Sequence, residues 1–186
     1  MKRIFLCGAA ALLLLTACNE KVDYSSAVTV TKDGVEGNVE DIYPRIKSLL
    51  EQYYAGMRDG NFDLAMSTYP DFYIDLEKKW IDENIKTSYD EAMKANSDWY
   101  ADNYGENYKV QVNINEILQL TEDSLTKMQE ILKKNYNLTE ALDDCYHFTA
   151  TEITTGSGTG EPADLEWYVL CYDGKTYLYD TLYETN

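Results

Sequence analysis

The chain has 186 residues, with 16 basic side chains against 33 acidic ones, for a net charge of −17. That balance excludes nucleic-acid binding, which needs a basic footprint for phosphate, and electrostatic adhesion to anionic lipid. The length suits one domain with a core able to fold alone, and the acidity reads as a solvated surface.

The chain opens with a basic pair, Lys2 and Arg3, followed by an apolar run through Ile4–Leu6 and Ala9–Leu15 that closes on Leu15-Thr16-Ala17-Cys18. The run is too short for a permanent membrane span and ends in small residues suited to cleavage. It resembles a bacterial lipoprotein signal peptide, residues 1–17, with Cys18 as the lipidated new N-terminus. The resemblance implies a lipid anchor on the extracytoplasmic face of the cell membrane. Asn19 is not the aspartate associated with inner-membrane retention, so an outer membrane is open where the organism has one. Removing Lys2 and Arg3 takes the charge from −17 to −19.

Residues 18–39 read as a flexible tether. They are polar, with Ser25-Ser26, Asp33-Gly34 and Gly37, and lack a helical apolar period. Val28-Thr29-Val30 suits at most a short extended segment. From Asp41, Ile42, Ile46, Leu49, Leu50, Tyr53, Tyr54 and Met57 recur at three- and four-residue spacing, the pattern of an amphipathic helix. Pro44 falls in its first turn, and Asp59-Gly60-Asn61 ends it. A short helix through Phe62–Met66 stops near Pro70. A third helical stretch, Phe72 to Trp99, is expected to break near Asn84–Ser88, where Thr87-Ser88 caps a new start.

Past Tyr104-Gly105 the period becomes two: Tyr108, Val110, Val112 and Ile114 alternate with polar residues, as in a strand with one buried face. Thr121 is the N-cap expected for a helix carrying Leu125, Met128, Ile131 and Leu132. Strands follow at about Cys145–Thr154, Leu165–Tyr172 and Thr176–Tyr183. Asp173-Gly174 is a two-residue hairpin signal, and Gly156–Gly160 reads as an exposed, flexible loop.

Helices first and antiparallel strands afterwards predict an α+β domain over 40–186, with helices packed on one face of a curved sheet. The run Tyr53-Tyr54-Ala55-Gly56-Met57-Arg58-Asp59-Gly60-Asn61-Phe62-Asp63-Leu64-Ala65 is similar to the opening of NTF2-like domains. So are Tyr104-Gly105 before an alternating strand and a last hairpin reading Gly174-Lys175-Thr176-Tyr177-Leu178-Tyr179-Asp180. The resemblance is to small exported NTF2-like lipoproteins. It implies a conical pocket between sheet and helices, which in some members is catalytic and in many only binds. The helix at Thr121–Lys134, between the first and second strands, departs from the minimal pattern.

His147 is the lone histidine and the one candidate base; acid–base chemistry would need Asp180 or Asp144 to orient it and a substrate in reach. The alternative is a strand histidine with a backbone partner. Counting from Asp173-Gly174 sets Tyr168 opposite Tyr179, Leu170 opposite Tyr177 and Val169 opposite Leu178. A loop centred on Gly158 adds Tyr146 and Phe148 to that tyrosine face and sends His147 and Thr149 to the face of Trp167. Tyr146, Phe148, Tyr168, Tyr177 and Tyr179 are then a candidate platform for a small ligand, a glycan or an envelope protein, or an ordinary strand surface. The same count puts Cys145 across from Cys171, a candidate disulfide that would stabilise by roughly 3 kcal/mol, unless both remain buried thiols.

No metal or cofactor is implied. Asp143-Asp144 and Glu161–Asp164 lack the spacing and central glycine of a calcium loop, the histidine stands alone, and phosphate-loop and nucleophile-elbow motifs are absent from the sequence. Three readings remain: a non-enzymatic, lipid-anchored binding protein, an NTF2-like acid–base enzyme using His147, and a structural envelope protein that forms a homodimer through its sheet.

Overall fold

The computed structural model describes residues 30–32, 35–37, 41–158 and 160–180. The leader, with Cys18, and the end of the expected last strand lie outside the described residues. The elements run β1 (Val30–Lys32), β2 (Val35–Gly37), α1 (Tyr43–Arg58), α2 (Phe62–Met66), α3 (Asp71–Asn84), α4 (Tyr89–Tyr104), β3 (Lys109–Gln119), α5 (Glu122–Tyr136), β4 (Asp144–Thr155), β5 (Ala163–Tyr172) and β6 (Lys175–Tyr179). This is an α+β domain in which four helices precede a curved, unclosed sheet of four long antiparallel strands, β3 to β6.

Two short strands extend the sheet beyond what the sequence suggested. β1 and β2 form an antiparallel hairpin, and β1 runs parallel to β3 through Val30 opposite Ile117, giving the order β2-β1-β3-β4-β5-β6. Both strands fall inside the segment expected to be an unpacked tether. Unpaired amides along the edge of β3 offer a template that three extended residues can satisfy, and apolar periodicity does not report such pairing. The extra helix, α5, joins β3 to β4 as expected.

The helix ends obey local chemistry. Pro44 sits in the first turn of α1, and Gly60, at φ +66°, follows its last turn. The Asn61 side chain caps α2 by accepting from the Leu64 amide at 3.2 Å. Between α3 and α4, Ser88 accepts from the Glu91 amide while the Glu91 carboxylate accepts from the Ser88 amide at 3.1 Å. Removing that reciprocal cap with Ser88→Ala should cost about 1 kcal/mol, read as a lowered urea midpoint at unchanged slope. The Thr121 side chain caps α5 by accepting from the Ser124 amide at 3.3 Å, and Asn137, in the left-handed region at φ +57°, closes it.

Alternation sorts the sheet into two faces. Ile114, Ile117, Phe148, Ala150, Leu165, Trp167, Val169 and Leu178 are buried on the inner face, under the Ile46, Leu50, Tyr53 and Met57 ridge of α1. Tyr53 meets Trp167 edge to face at 6.3 Å. The outer face carries Cys145, His147, Tyr168, Leu170, Tyr177 and Tyr179. It is covered in part too: Tyr136 of α5 and Phe72 of α3 lie against Tyr179, with ring centroids 6.5 and 6.3 Å away. The connection from α2 to α3 wraps the edge of β6, where the Leu178 amide donates to the Thr68 carbonyl at 2.8 Å.

The β4–β5 loop is exposed, as expected, but it is not loose. The Gly156 amide donates to the Gly158 carbonyl, Ser157 to the Tyr104 carbonyl at 2.6 Å, and Gly160 to the Thr154 carbonyl. A Cβ on Gly156 would fall 1.8 Å from the Tyr104 carbonyl oxygen, so glycine there permits the loop to seat on the end of α4. The Asp173-Gly174 turn has positive φ at both positions, 51° and 68°, as its sequence predicts.

Candidate functional site

The final hairpin register agrees with the sequence count: Tyr168 faces Tyr179, Leu170 faces Tyr177 and Val169 faces Leu178. The β4–β5 register does not. His147 lies opposite Tyr168, Phe148 opposite Trp167 and Tyr146 opposite Val169, one residue off the expected pairing. A slip of one residue exchanges the two faces of a strand, so Phe148 and Tyr146 leave the tyrosine face and His147 joins it. The platform therefore does not form as expected. Phe148 is fully buried under the helices, Tyr179 is buried beneath aromatic neighbours, and only Tyr168 and Tyr177 remain half-exposed on the outer side.

The same shift corrects the disulfide. Cys145 pairs with Leu170 and Cys171 with Asp144, so alternation turns the two thiols to opposite faces, and both are free. Burial raises the Cys145 thiol well above its usual range and also raises that of Cys171. Both therefore stay protonated and unreactive.

His147 bonds through Nε2 to the Glu166 carboxylate at 2.9 Å, and its ring lies 5.0 Å from that of Tyr168. Glu166 is largely solvated. Neither acid proposed to orient the histidine does so. Asp144 lies on the inner face, where it accepts from Gln119, from the Cys145 amide and from Tyr146 Oη at 2.9 Å. Asp180 lies at the end of β6, beside Glu77. His147 therefore lies on the outer face, half-buried and paired with an exposed carboxylate rather than with Asp144 or Asp180.

The structure instead assembles polar groups at the far end of the inner face, where β4 passes the C-terminal turns of α1 and α4. Glu152 shares the inner-face parity of Phe148 and Ala150. Its carboxylate accepts from Tyr54 Oη of α1 at 2.6 Å, from Tyr100 Oη of α4 at 3.3 Å and from Thr154 Oγ1 at 3.2 Å. Tyr100 stacks on Tyr108 at 5.2 Å, and Trp99 stands nearly perpendicular to Tyr100 and Tyr104, with centroids 5.1 and 6.1 Å away. Tyr104 is held from behind by the β4–β5 loop, since a Cβ on Gly160 would come within 2.9 Å of its hydroxyl. Burial, reinforced by the Glu152 charge, pushes the Tyr100 phenol far above its usual range. Tyr108, raised chiefly by burial, reaches about 12. Both stay protonated as hydrogen-bond donors or apolar walls.

A second acidic site is fully enclosed. Glu77 follows Tyr73 and precedes Ile81 at four-residue spacing on the buried side of α3, and is 1 % exposed. Burial first, and then the neighbouring Asp180, raise its carboxyl to about 7, partly offset by a hydrogen bond from Tyr89. Glu77 and Asp180 are both buried, at 1 % and 5 % exposed, and the pair's consequences concern stability.

Spacing could have exposed both acids: Glu152 occupies an inward strand position and Glu77 an inward helical one. Among the described residues no group of three histidine, cysteine or carboxylate side chains is placed to hold a metal, and no helix is long and apolar enough to cross a membrane. No protein-family model, curated protein or solved structure matches the chain.

Proposed function

We propose that the chain is a lipid-anchored, extracytoplasmic binding protein without catalytic activity, built on one NTF2-like domain whose ligand site centres on Glu152. The observation that carries this reading is the Glu152 carboxylate on the inner sheet face, with hydroxyl donors converging on it from α1, α4 and β4. A few polar groups fixed among aromatic walls orient a ligand. They do not make a reaction centre here, because Tyr100 holds its proton and the one histidine lies on the opposite face. The leader motif ending in Cys18 supports the anchor, and helices before an antiparallel sheet support the fold assignment.

Native mass spectrometry tests the reading. The full chain, expressed with its leader in a bacterial host and purified in maltoside detergent, is measured before and after incubation with an envelope extract. A small-mass adduct that survives mild desolvation, and is lost in Glu152→Gln, is the expected result. An adduct that persists in Glu152→Gln, or no adduct at all, overturns the site and turns the search to protein partners of the outer face.

A further inference from the structure

We propose that the Glu152 site takes a cationic group, an alkylated or quaternary ammonium head, as the recognised part of its ligand. This rests on the binding-site reading above and goes further by fixing the ligand class.

The argument begins with charge. Glu152 is half-buried, and its carboxylate accepts from three hydroxyls, none of which carries a positive charge. Among the described residues no lysine, arginine or histidine lies within ion-pair distance of it. Arg58 acts on Tyr108, but its guanidinium is bonded twice to Asp59, at 2.7 and 3.2 Å. The region thus keeps a fixed negative charge that the fold does not balance.

Aromatic character supplies the second half. Trp99, Tyr100, Tyr104 and Tyr108 form one continuous group of rings, which Tyr100 joins to the carboxylate, and Trp99 is 38 % exposed. An indole is the best ring partner for a cation, and no described lysine or arginine stacks on these rings. The described cation–ring contact, Lys78 over Tyr89, belongs elsewhere. A methylated ammonium suits such a site better than a small hydrated ion, because it sheds water easily and offers apolar surface to the rings. The chain's charge of −17 would draw a cation toward it.

Choline and its uncharged carbon isostere, 3,3-dimethylbutan-1-ol, separate charge from shape. Binding to the full chain in maltoside detergent is followed by Trp fluorescence and calorimetry. Choline should bind about tenfold more tightly than the isostere, and Glu152→Gln should erase that preference. Should Glu152→Gln fail to fold, Trp99→Leu at an exposed position replaces it and should weaken choline severalfold. Equal affinity for the two probes, a preference unchanged in both variants, or no saturable binding at tens of millimolar overturns the proposal. The mass-spectrometric test keeps the two readings apart: a neutral adduct lost in Glu152→Gln retains the binding site while removing the cationic ligand class.

Discussion

Phe148→Ala should remove about 3–5 kcal/mol of stability, whereas Tyr168→Ala, close by across the β4–β5 ladder, should cost about 1 kcal/mol. Phe148 is fully buried between Ile117 and Trp167 in the ladder and meets Trp167 edge to face at 6.2 Å. Truncation leaves a cavity lined by α1 and three strands, and a sheet pinned on both sides collapses poorly around it. Tyr168 faces outward and is half-exposed, so its loss removes one partly solvated ring. Urea unfolding of the two variants decides the matter. Similar losses would mean that Phe148 and Tyr168 share a face, as the sequence count supposed, and that the β4–β5 register is wrong.

Glu77→Gln should raise stability near pH 8 by about 2–3 kcal/mol and leave it unchanged near pH 4. The Glu77 carboxyl rises from an ordinary 4.5 to about 7 because burial, and then Asp180, disfavour its charge. Between those values the folded chain holds a proton that the unfolded chain has released. Its contribution is therefore complete below about pH 4.5, shrinks as pH climbs toward 7 and is gone above it. Glutamine keeps the neutral shape at every pH, so the variant and parent stability curves should meet in acid and part above neutrality. Curves that stay parallel from pH 4 to about pH 8 would show that this group does not change its proton affinity on folding.

How much of this was legible follows from sequence distance. The breaks at Asn61, Ser88, Thr121 and Asp173-Gly174 are written within three or four residues, and the structure forms each where those residues stand. The β4–β5 register depends on where a glycine-rich loop turns, and that composition tolerates more than one centre. Shifting the count by one residue moved Phe148, His147 and the cysteine pair together. Glu152 meets Tyr54 across 98 positions and Tyr100 across 52, so no local motif announces the cluster. The inward parity of Glu152 and the helical spacing of Glu77 were nonetheless readable. A carboxylate at an apolar-face position is the signal that pattern counting passed over.

The bond from Leu178 to the Thr68 carbonyl has a consequence for neighbouring molecules. A sheet with an open margin can accept a strand from another molecule at any high local concentration. A free outer strand there would invite the next copy to add on, and the next, as a growing ribbon. One margin of this sheet is closed by its own chain at β6, and the other ends in β2, only three residues long. The β6 margin is thereby closed to such a ribbon, whereas β1 covers only Ile117 and Leu118 of β3 and leaves the rest of that strand's outer edge open among the described residues.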